Sequence, residues 1–143
     1  MGRILGVDLG ARRIGLAVSD PGGVIASPLA TIERSGDAQK DRRAILDAAS
    51  EAEAVVVVVG LPKEMSGRMG PAAKAARAEV DALRALAPSL RFELVDERMT
   101  TVIAQRSLIG GGVKRRDRKQ KVDKVAAAVI LQSYLESKGT HRE

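Results

Sequence analysis

The segment Ala54-Val55-Val56-Val57-Val58-Val59 decides the fold. Five consecutive valines are typical of a strand that is buried on both faces, because such a strand shows no alternation of apolar and polar residues. Gly60-Leu61-Pro62 ends the pattern, since proline lacks the amide hydrogen that pairing within a sheet requires. The sequence therefore predicts a sheet with this strand in its interior and helices packed on the sheet.

Further strands and helices are predicted on both sides of this segment. Short apolar runs bounded by turn formers predict strands at Arg3–Val7, Ile14–Ser19, Val24–Thr31 and Arg91–Val95. Apolar residues at helical spacing predict helices at Gln39–Ala52, Pro71–Ala87 and Val122–Glu136, with a short one from Thr100 or Thr101 to Gly110. This order predicts an α/β fold: a mixed five-stranded sheet, antiparallel in its first three strands and then parallel, flanked by helices. We find no linker or repeat and predict one domain over residues 1–143.

The composition excludes several classes of site. The chain has 143 residues and no cysteine, which excludes disulfides, thiolate zinc sites and cysteine nucleophiles. No apolar run approaches the length of a membrane span, so we expect a cytoplasmic protein without a membrane partner. The single histidine, His141, lies at the C-terminal end of the sequence, where a catalytic base is not expected.

The net charge of +6 is concentrated in one segment. Residues 114–121 carry six basic side chains and one acidic one. We interpret this segment, which follows Gly110-Gly111-Gly112, as a mobile loop that holds a polyanion near Asp123; the alternative is a solvated connector. Because Phe92 and Tyr134 are the only aromatic residues and both fall in core patterns, we expect contacts to the nucleic-acid backbone rather than base stacking.

Three carboxylates are candidates for a metal site. Asp8 follows an apolar strand, Glu97 lies where the last strand ends, and Asp123 opens the last predicted helix. Crowded carboxylates require a neutralising cation, and oxygen ligands favour Mg²⁺ or Mn²⁺ over zinc. Two such metals about 4 Å apart are a common way to hydrolyse a phosphodiester bond.

Each carboxylate also has an ordinary structural interpretation. Asp8 beside a glycine is typical of a turn, and Asp123 in a first helical turn complements the helix dipole. Asp96 competes with Glu97, because alternation places the two on opposite faces of the strand and does not choose between them. Arg98 is a candidate partner of Asp96.

Four motifs occur in an order that resembles a known family. They are DLGARRIGLAVSD (residues 8–20), VGLP (59–62), DERMTT (96–101) and KVDKVAAAVILQSYL (121–135). Together they resemble the YqgF/RuvX family of bacterial proteins with an RNase H-like fold. The resemblance spans nearly the whole chain and departs from the family pattern at Lys63-Glu64.

The resemblance implies a nuclease with Asp8, Glu97 and Asp123 as its catalytic and metal-binding triad. The function it implies first is processing of the 5′ end of pre-16S rRNA in ribosome biogenesis. The alternatives are resolution of Holliday junctions in branched DNA, which needs a dimer, and a non-catalytic nucleic-acid-binding module. We therefore expect the protein to be a monomer or a homodimer. A phosphate motif of the sugar-kinase superfamily also resembles residues 8–15, but the second lobe of those enzymes has no counterpart here. The residues we expect to contact structured RNA or branched DNA are Arg12, Arg13, Lys114, Arg115, Arg116, Arg118, Lys119 and Lys121.

Overall fold

Five strands form one mixed sheet in the computed structural model, which describes residues 2–99 and 115–141, with side chains described for residues 2–98 and 124–138. The strands are β1 (Arg3–Leu9), β2 (Arg13–Ser19), β3 (Ala26–Glu33), β4 (Ala54–Leu61) and β5 (Arg91–Asp96). The helices are α1 (Ala38–Glu51), α2 (Pro71–Leu86) and α3 (Arg115–His141), and a 3₁₀ turn, Glu97–Met99, follows β5. Among these elements, no helix combines the length and the apolar character that a membrane span needs.

The strand order is β3-β2-β1-β4-β5. β1 pairs antiparallel with β2, and β2 pairs antiparallel with β3. β4 pairs parallel with β1 on one side and with β5 on the other. This arrangement confirms the predicted mixed sheet, and the valine-rich β4 lies in its interior, with Val57, Val58 and Val59 fully buried.

The two faces of the sheet pack against different helices, because side chains alternate along each strand. On one face, Leu5 and Val7 of β1 pack with buried residues of α1 and α2: Ile45, Ala49, Val80 and Leu83. On the other face, Ala17 and Val58 pack with buried residues of α3: Ala126, Ala127, Ile130 and Leu131. The side chain at each strand position therefore meets either the α1–α2 layer or the α3 layer.

α3 runs antiparallel to β1, β4 and β5. Ile130 packs over Gly60 of β4, which pairs with Val95 of β5. Tyr134, one turn later in α3, donates a hydrogen bond to Glu93, two residues earlier in β5. The helix therefore proceeds toward the start of these strands, and its earlier turns lie toward their carboxyl ends.

Several predicted boundaries differ from the structure, among them the ends of β1 and β4, which extend to Leu9 and Leu61, and two of the wrong boundaries have a clear physical cause. β3 begins at Ala26 rather than Val24 because the Asp20 carboxylate accepts hydrogen bonds from the amides of Val24 and Ile25, at 2.8 Å each. These amides are therefore used by the turn that follows β2 instead of by strand pairing.

The second wrong boundary concerns the basic segment. Residues 115–121 form the first turns of α3 and not a mobile loop, while Lys114 and the short helix predicted up to Gly110 lie outside the described residues. Arginine, lysine and glutamine have high helix propensity, and the segment contains neither glycine nor proline. Asp123 consequently lies about two turns inside α3, beyond the first turn in which a charge acts on the helix dipole.

The contact between Tyr134 and Glu93 joins α3 to the edge strand β5. Burial and the bond to Glu93 raise the pKa of Tyr134 to about 12. Burial favours a higher pKa for Glu93, yet the bond from Tyr134 and the charges of Lys138 and Arg91 lower it below its ordinary value. The tyrosine is thus held in its neutral form, and the glutamate in its ionised form, over the whole physiological range.

We expect Tyr134→Phe to lower the free energy of unfolding by about 1 kcal/mol at pH 7, because the substitution removes one hydrogen bond to a carboxylate. An exposed tyrosine titrates near pH 10. Since the folded-state pKa is higher, the stabilisation is complete below pH 10 and is lost as the pH rises through about 12. Urea unfolding of both proteins between pH 7 and 12 measures this difference. If the difference in unfolding free energy between the two proteins does not decrease above pH 10, the assigned hydrogen bond between Tyr134 and Glu93 is contradicted.

Candidate active site

Two acidic residues are buried on the α3 face of the sheet. Asp8 is 3% exposed and Glu97 is 5% exposed. Burial of a carboxylate is costly unless other groups compensate its charge, so two such residues in one region mark a site with a specific role.

Asp8 reaches this face through the alternation of β1. Gly6 of β1 faces α3, since a Cβ atom built on it would lie 2.8 Å from Leu131 Cβ and 3.0 Å from Ala127 O. Asp8 is two residues further along the same strand and therefore faces the same way. Within the sheet it pairs with Gly15 of β2. Asp8 thus lies within β1, which continues to Leu9, and its carbonyl accepts a hydrogen bond from the Gly10 amide where the chain turns.

Glu97 reaches the same place from β5. A Cβ atom built on Gly60 would lie 3.2 Å from Glu97 Cγ and 2.6 Å from Ile130 Cδ1. The Glu97 side chain therefore crosses β4 at Gly60, where the missing side chain makes room for it. Val7 of β1 pairs with Val59 of β4, so the following residues, Asp8 and Gly60, are also neighbours. Both acids thus lie at the carboxyl end of the central strands, under α3.

The choice between Asp96 and Glu97 follows from what each side chain contacts. Asp96 accepts hydrogen bonds from Arg98, with 2.7 Å between Asp96 Oδ2 and Arg98 Nη2. The bond from the Arg98 side chain lowers the pKa of Asp96 and outweighs its partial burial. Asp96 is therefore held in an ion pair, as predicted for Arg98, while the Glu97 side chain packs over Gly60 of β4.

Asp123 belongs to α3, one turn before Ala127. Ala127 packs beside Gly6, and the earlier turns of α3 lie toward the carboxyl ends of β1 and β4. The helix backbone therefore continues toward Asp8 and Glu97 at the position of Asp123. The Asp123 side chain lies outside the described residues, and among the described side chains no group of three or more acidic or histidine residues forms a metal cluster.

A model of the RuvX family, described as Holliday junction resolvase, matches residues 2–137. The chain belongs to the RuvX family. Relatives in two genera carry the name "Putative pre-16S rRNA nuclease". The one from Mycobacterium sp. (strain KMS) is 44% identical over 138 residues, which cover 96% of this chain and 81% of the relative. The one from Nocardia farcinica (strain IFM 10152) is 43% identical over 142 residues, which cover 96% of this chain and 79% of the relative.

Solved structures resemble the fold at low sequence identity. RuvC of T. thermophilus in complex with a Holliday junction substrate has a TM-score of 0.59 and 16% identity, and the match covers 97% of this chain and 96% of RuvC. The yeast mitochondrial Holliday junction resolvase Ydc2 has a TM-score of 0.60 and 12% identity, with 99% and 80% covered. These matches confirm the RNase H-like fold.

Family membership confirms the predicted class of enzyme, a nuclease that hydrolyses phosphodiester bonds. The triad of Asp8, Glu97 and Asp123 stays a prediction.

Cationic side chains surround this end of the sheet in the RuvX chain. Arg12 is exposed in the turn after β1, whereas Arg13 is half-buried and lies 3.6 Å from Glu33. The sequence analysis missed Arg34, whose Nε donates to the carbonyl of Gly10 at 2.7 Å. It also missed two cations in the loop after β4, Lys63 and Arg68. Arg34 and Lys63 closely follow the ends of β3 and β4, and Arg68 lies further along the loop after β4. These strands end on the same side of the sheet as β1, and this position in the sequence is the signal that identifies the cations.

We expect Gly60→Ala to destabilise the protein by about 1–3 kcal/mol, because the new methyl group lies 2.6 Å from Ile130 Cδ1. Ile130→Val removes that atom and by itself costs about 0.5–1.5 kcal/mol. The double variant Gly60→Ala/Ile130→Val should therefore be more stable than the sum of the single effects allows. Urea unfolding of the four proteins measures the coupling. If the changes in unfolding free energy of the two single variants simply add, the methyl group at residue 60 does not clash with Ile130.

Proposed function

We propose that this chain is a divalent-metal-dependent nuclease that processes the 5′ end of pre-16S rRNA. The observation that carries the proposal is the pair of buried carboxylates, Asp8 and Glu97, brought together across Gly60 at the carboxyl end of the central strands. The name of the relatives, pre-16S rRNA nuclease, supports rRNA as the substrate. We further propose that residues 1–143 act as one domain, in the cytoplasm.

The residues of this site suit Mg²⁺ or Mn²⁺. Asp8 and Glu97 are both buried and supply carboxylate oxygens, which hard divalent cations prefer. Asp123 is the proposed third ligand, because the α3 backbone brings it toward the same edge. When bound, divalent metals supply an activated water and stabilise the charge on the leaving oxygen. The protein residues hold the cations, exclude bulk water and orient the scissile phosphate.

Cations of this chain would hold the substrate at the site. Arg12 lies in the turn after β1 and Lys63 in the loop after β4, both at the carboxyl end of the central strands. The basic start of α3, residues 115–121, adds further positive charge on the helix that covers the acids. Contacts of this kind bind the phosphate backbone without reading the base sequence. They therefore suit a structured RNA whose shape determines where it is cut.

The second candidate function is cleavage of branched DNA. The description of the family as Holliday junction resolvases favours it. A four-way junction has two-fold symmetry, so symmetric resolution requires two copies of the chain, whereas trimming of an rRNA end requires one. The two functions therefore differ in the assembly that binds the substrate as well as in the product.

We expect Asp8→Asn to abolish cleavage while the protein still folds and binds nucleic acid. The substitution removes the charge of a metal ligand, keeps its shape and relieves repulsion with Glu97. The measurement compares the wild type with Asp8→Asn on a precursor of 16S rRNA and on a four-way DNA junction, each with Mg²⁺ and with Mn²⁺. Asp47→Asn, an exposed substitution on α1, is the matched control.

Four outcomes of this comparison are informative. Cleavage of the rRNA precursor alone supports the first function, and cleavage of the junction alone supports the second. Unchanged cleavage by Asp8→Asn would remove Asp8 from the mechanism. Binding without cleavage by the wild type under either metal would instead favour a non-catalytic module.

We expect a fourfold alanine variant of the basic helix start, with changes at Arg115, Arg116, Arg118 and Lys119, to bind nucleic acid more weakly whatever its sequence. Each lost phosphate contact should flatten the slope of log K against log salt by about one unit on a duplex. Because alanine is a strong helix former, the variant should keep α3 intact.

The matched control removes four exposed cations on the opposite side of the sheet, in α1 and α2: Lys40, Arg43, Lys74 and Arg77. It lowers the net charge by the same amount, so it separates local contacts from the overall charge. Filter binding between 50 and 300 mM salt measures both slopes. Equal slopes for the two variants would assign the effect to net charge and exclude the helix start as a binding segment.

A further inference from the structure

Arg98 makes an unusually complete set of contacts with Asp96. Its Nε lies 3.2 and 3.1 Å from the two carboxylate oxygens, its Nη2 lies 2.7 Å from Oδ2, and its backbone amide donates to Oδ1 at 3.0 Å. Both side chains are mostly buried, with 29% and 22% exposed. A planar guanidinium that binds both oxygens of a carboxylate restricts position and orientation together.

The residue enclosed by this pair is Glu97. Asp96 is the last residue of β5, and Glu97 is the first residue of the 3₁₀ turn. Arg98, the next residue, forms the ion pair with Asp96. The backbone on each side of Glu97 is therefore fixed by one ion pair. This constraint turns the Glu97 side chain away from the Asp96–Arg98 pair and across Gly60, toward Asp8.

Arg98 also contacts the loop that follows β4. Its Nη1 lies 3.5 Å from the carbonyl oxygen of Met65. Gly67 has a positive φ of 93°, and a Cβ atom built on it would lie 3.0 Å from the same Nη1. The guanidinium therefore packs directly against the backbone of this loop, and a side chain larger than that of glycine would require the guanidinium to shift.

The loop itself is closed by its own hydrogen bonds. The amide of Glu64 donates to the carbonyl of Arg68 at 3.0 Å, and the amide of Gly67 donates to the carbonyl of Glu64 at 2.8 Å. Lys63 and Arg68 place two cations on this turn. One guanidinium thus connects a cationic loop to the backbone that carries a proposed metal ligand.

We propose that Arg98 is a positioning residue that holds the Glu97 carboxylate and the loop 63–68 in one fixed arrangement around the metal site. The proposal rests on the proposed function, since it assigns Arg98 a purpose through the metal-binding role of Glu97. Residues that orient metal ligands without contacting the metal themselves typically contribute 10- to 100-fold to metal affinity or activity. Arg98 acts through Glu97 and does not itself contact the reacting atoms.

The test measures Mn²⁺ affinity by electron paramagnetic resonance, in parallel with cleavage. We expect Arg98→Ala to weaken Mn²⁺ binding about 10-fold. Arg98→Lys keeps the charge but loses the fork that contacts both Asp96 oxygens, so it should weaken binding in the same direction. Cleavage should show a lower kcat with little change in KM, whereas Lys63→Ala should mainly raise KM.

Gly67→Ala tests the loop side of the arrangement. Its new methyl group should displace the guanidinium and weaken Mn²⁺ binding as the Arg98 variants do. In the double variant with Arg98→Ala the two effects should not add, because both act on the same contact. Gly36→Ala is the matched control: Gly36 also has a positive φ, 87°, but no described atom lies within 4 Å of its Cβ position, so backbone strain is reproduced without contact to Arg98.

Three results overturn the proposal or part of it in distinguishable ways. Wild-type Mn²⁺ affinity in folded Arg98→Ala and Arg98→Lys proteins would refute the role of Arg98 and leave the proposed function standing. Absence of Mn²⁺ binding by the wild type would refute the metal-dependent function and this inference together. Equal losses in Gly67→Ala and Gly36→Ala would assign the effect to strain and refute the link through the loop.

Discussion

The close approach of α3 to the sheet at Gly6 and Gly60 is the constraint on which the rest of the site depends. At both glycines a methyl group would overlap with atoms of the helix. The helix consequently lies low over β1 and β4, where it covers Asp8 and Glu97 and removes them from bulk water. The same packing that completes the apolar core therefore keeps two carboxylates in a region of low solvent access, where charges interact strongly.

The acidic residues at the end of β5 illustrate how neighbouring groups of the same type acquire different roles. Asp96 faces away from α3, and Arg98 neutralises it in a local ion pair. Glu97 faces α3 and crosses Gly60 toward Asp8. The ion pair between Asp96 and Arg98 stabilises the turn that follows β5. Of these two adjacent carboxylates, Asp96 therefore has a structural role, and Glu97 is a candidate metal ligand.

The basic segment before Asp123 was predicted as a loop because charge runs are usually solvated and a triple glycine precedes it. In the structure, residues 115–121 continue α3 instead. Repulsion between exposed like charges is weak and screened by salt, while the helix propensity of arginine, lysine and glutamine acts at every residue. The positive charge is therefore carried by a helix whose remaining turns are anchored in the core by Ile130 and Leu131.

The sequence by itself determined the order of the strands and helices, the interior position of the valine-rich strand and the candidacy of Asp8 and Glu97. These features follow from local patterns, since the period of apolar residues depends on neighbours a few positions apart. Only the tertiary structure decided that Glu97 packs over Gly60 while Asp96 pairs with Arg98, that Arg98 joins β5 to the loop after β4, and that Gly6 and Gly60 admit the helix. Each of these depends on contacts between residues far apart in the chain, because such contacts form when strands pair in register and α3 closes over them.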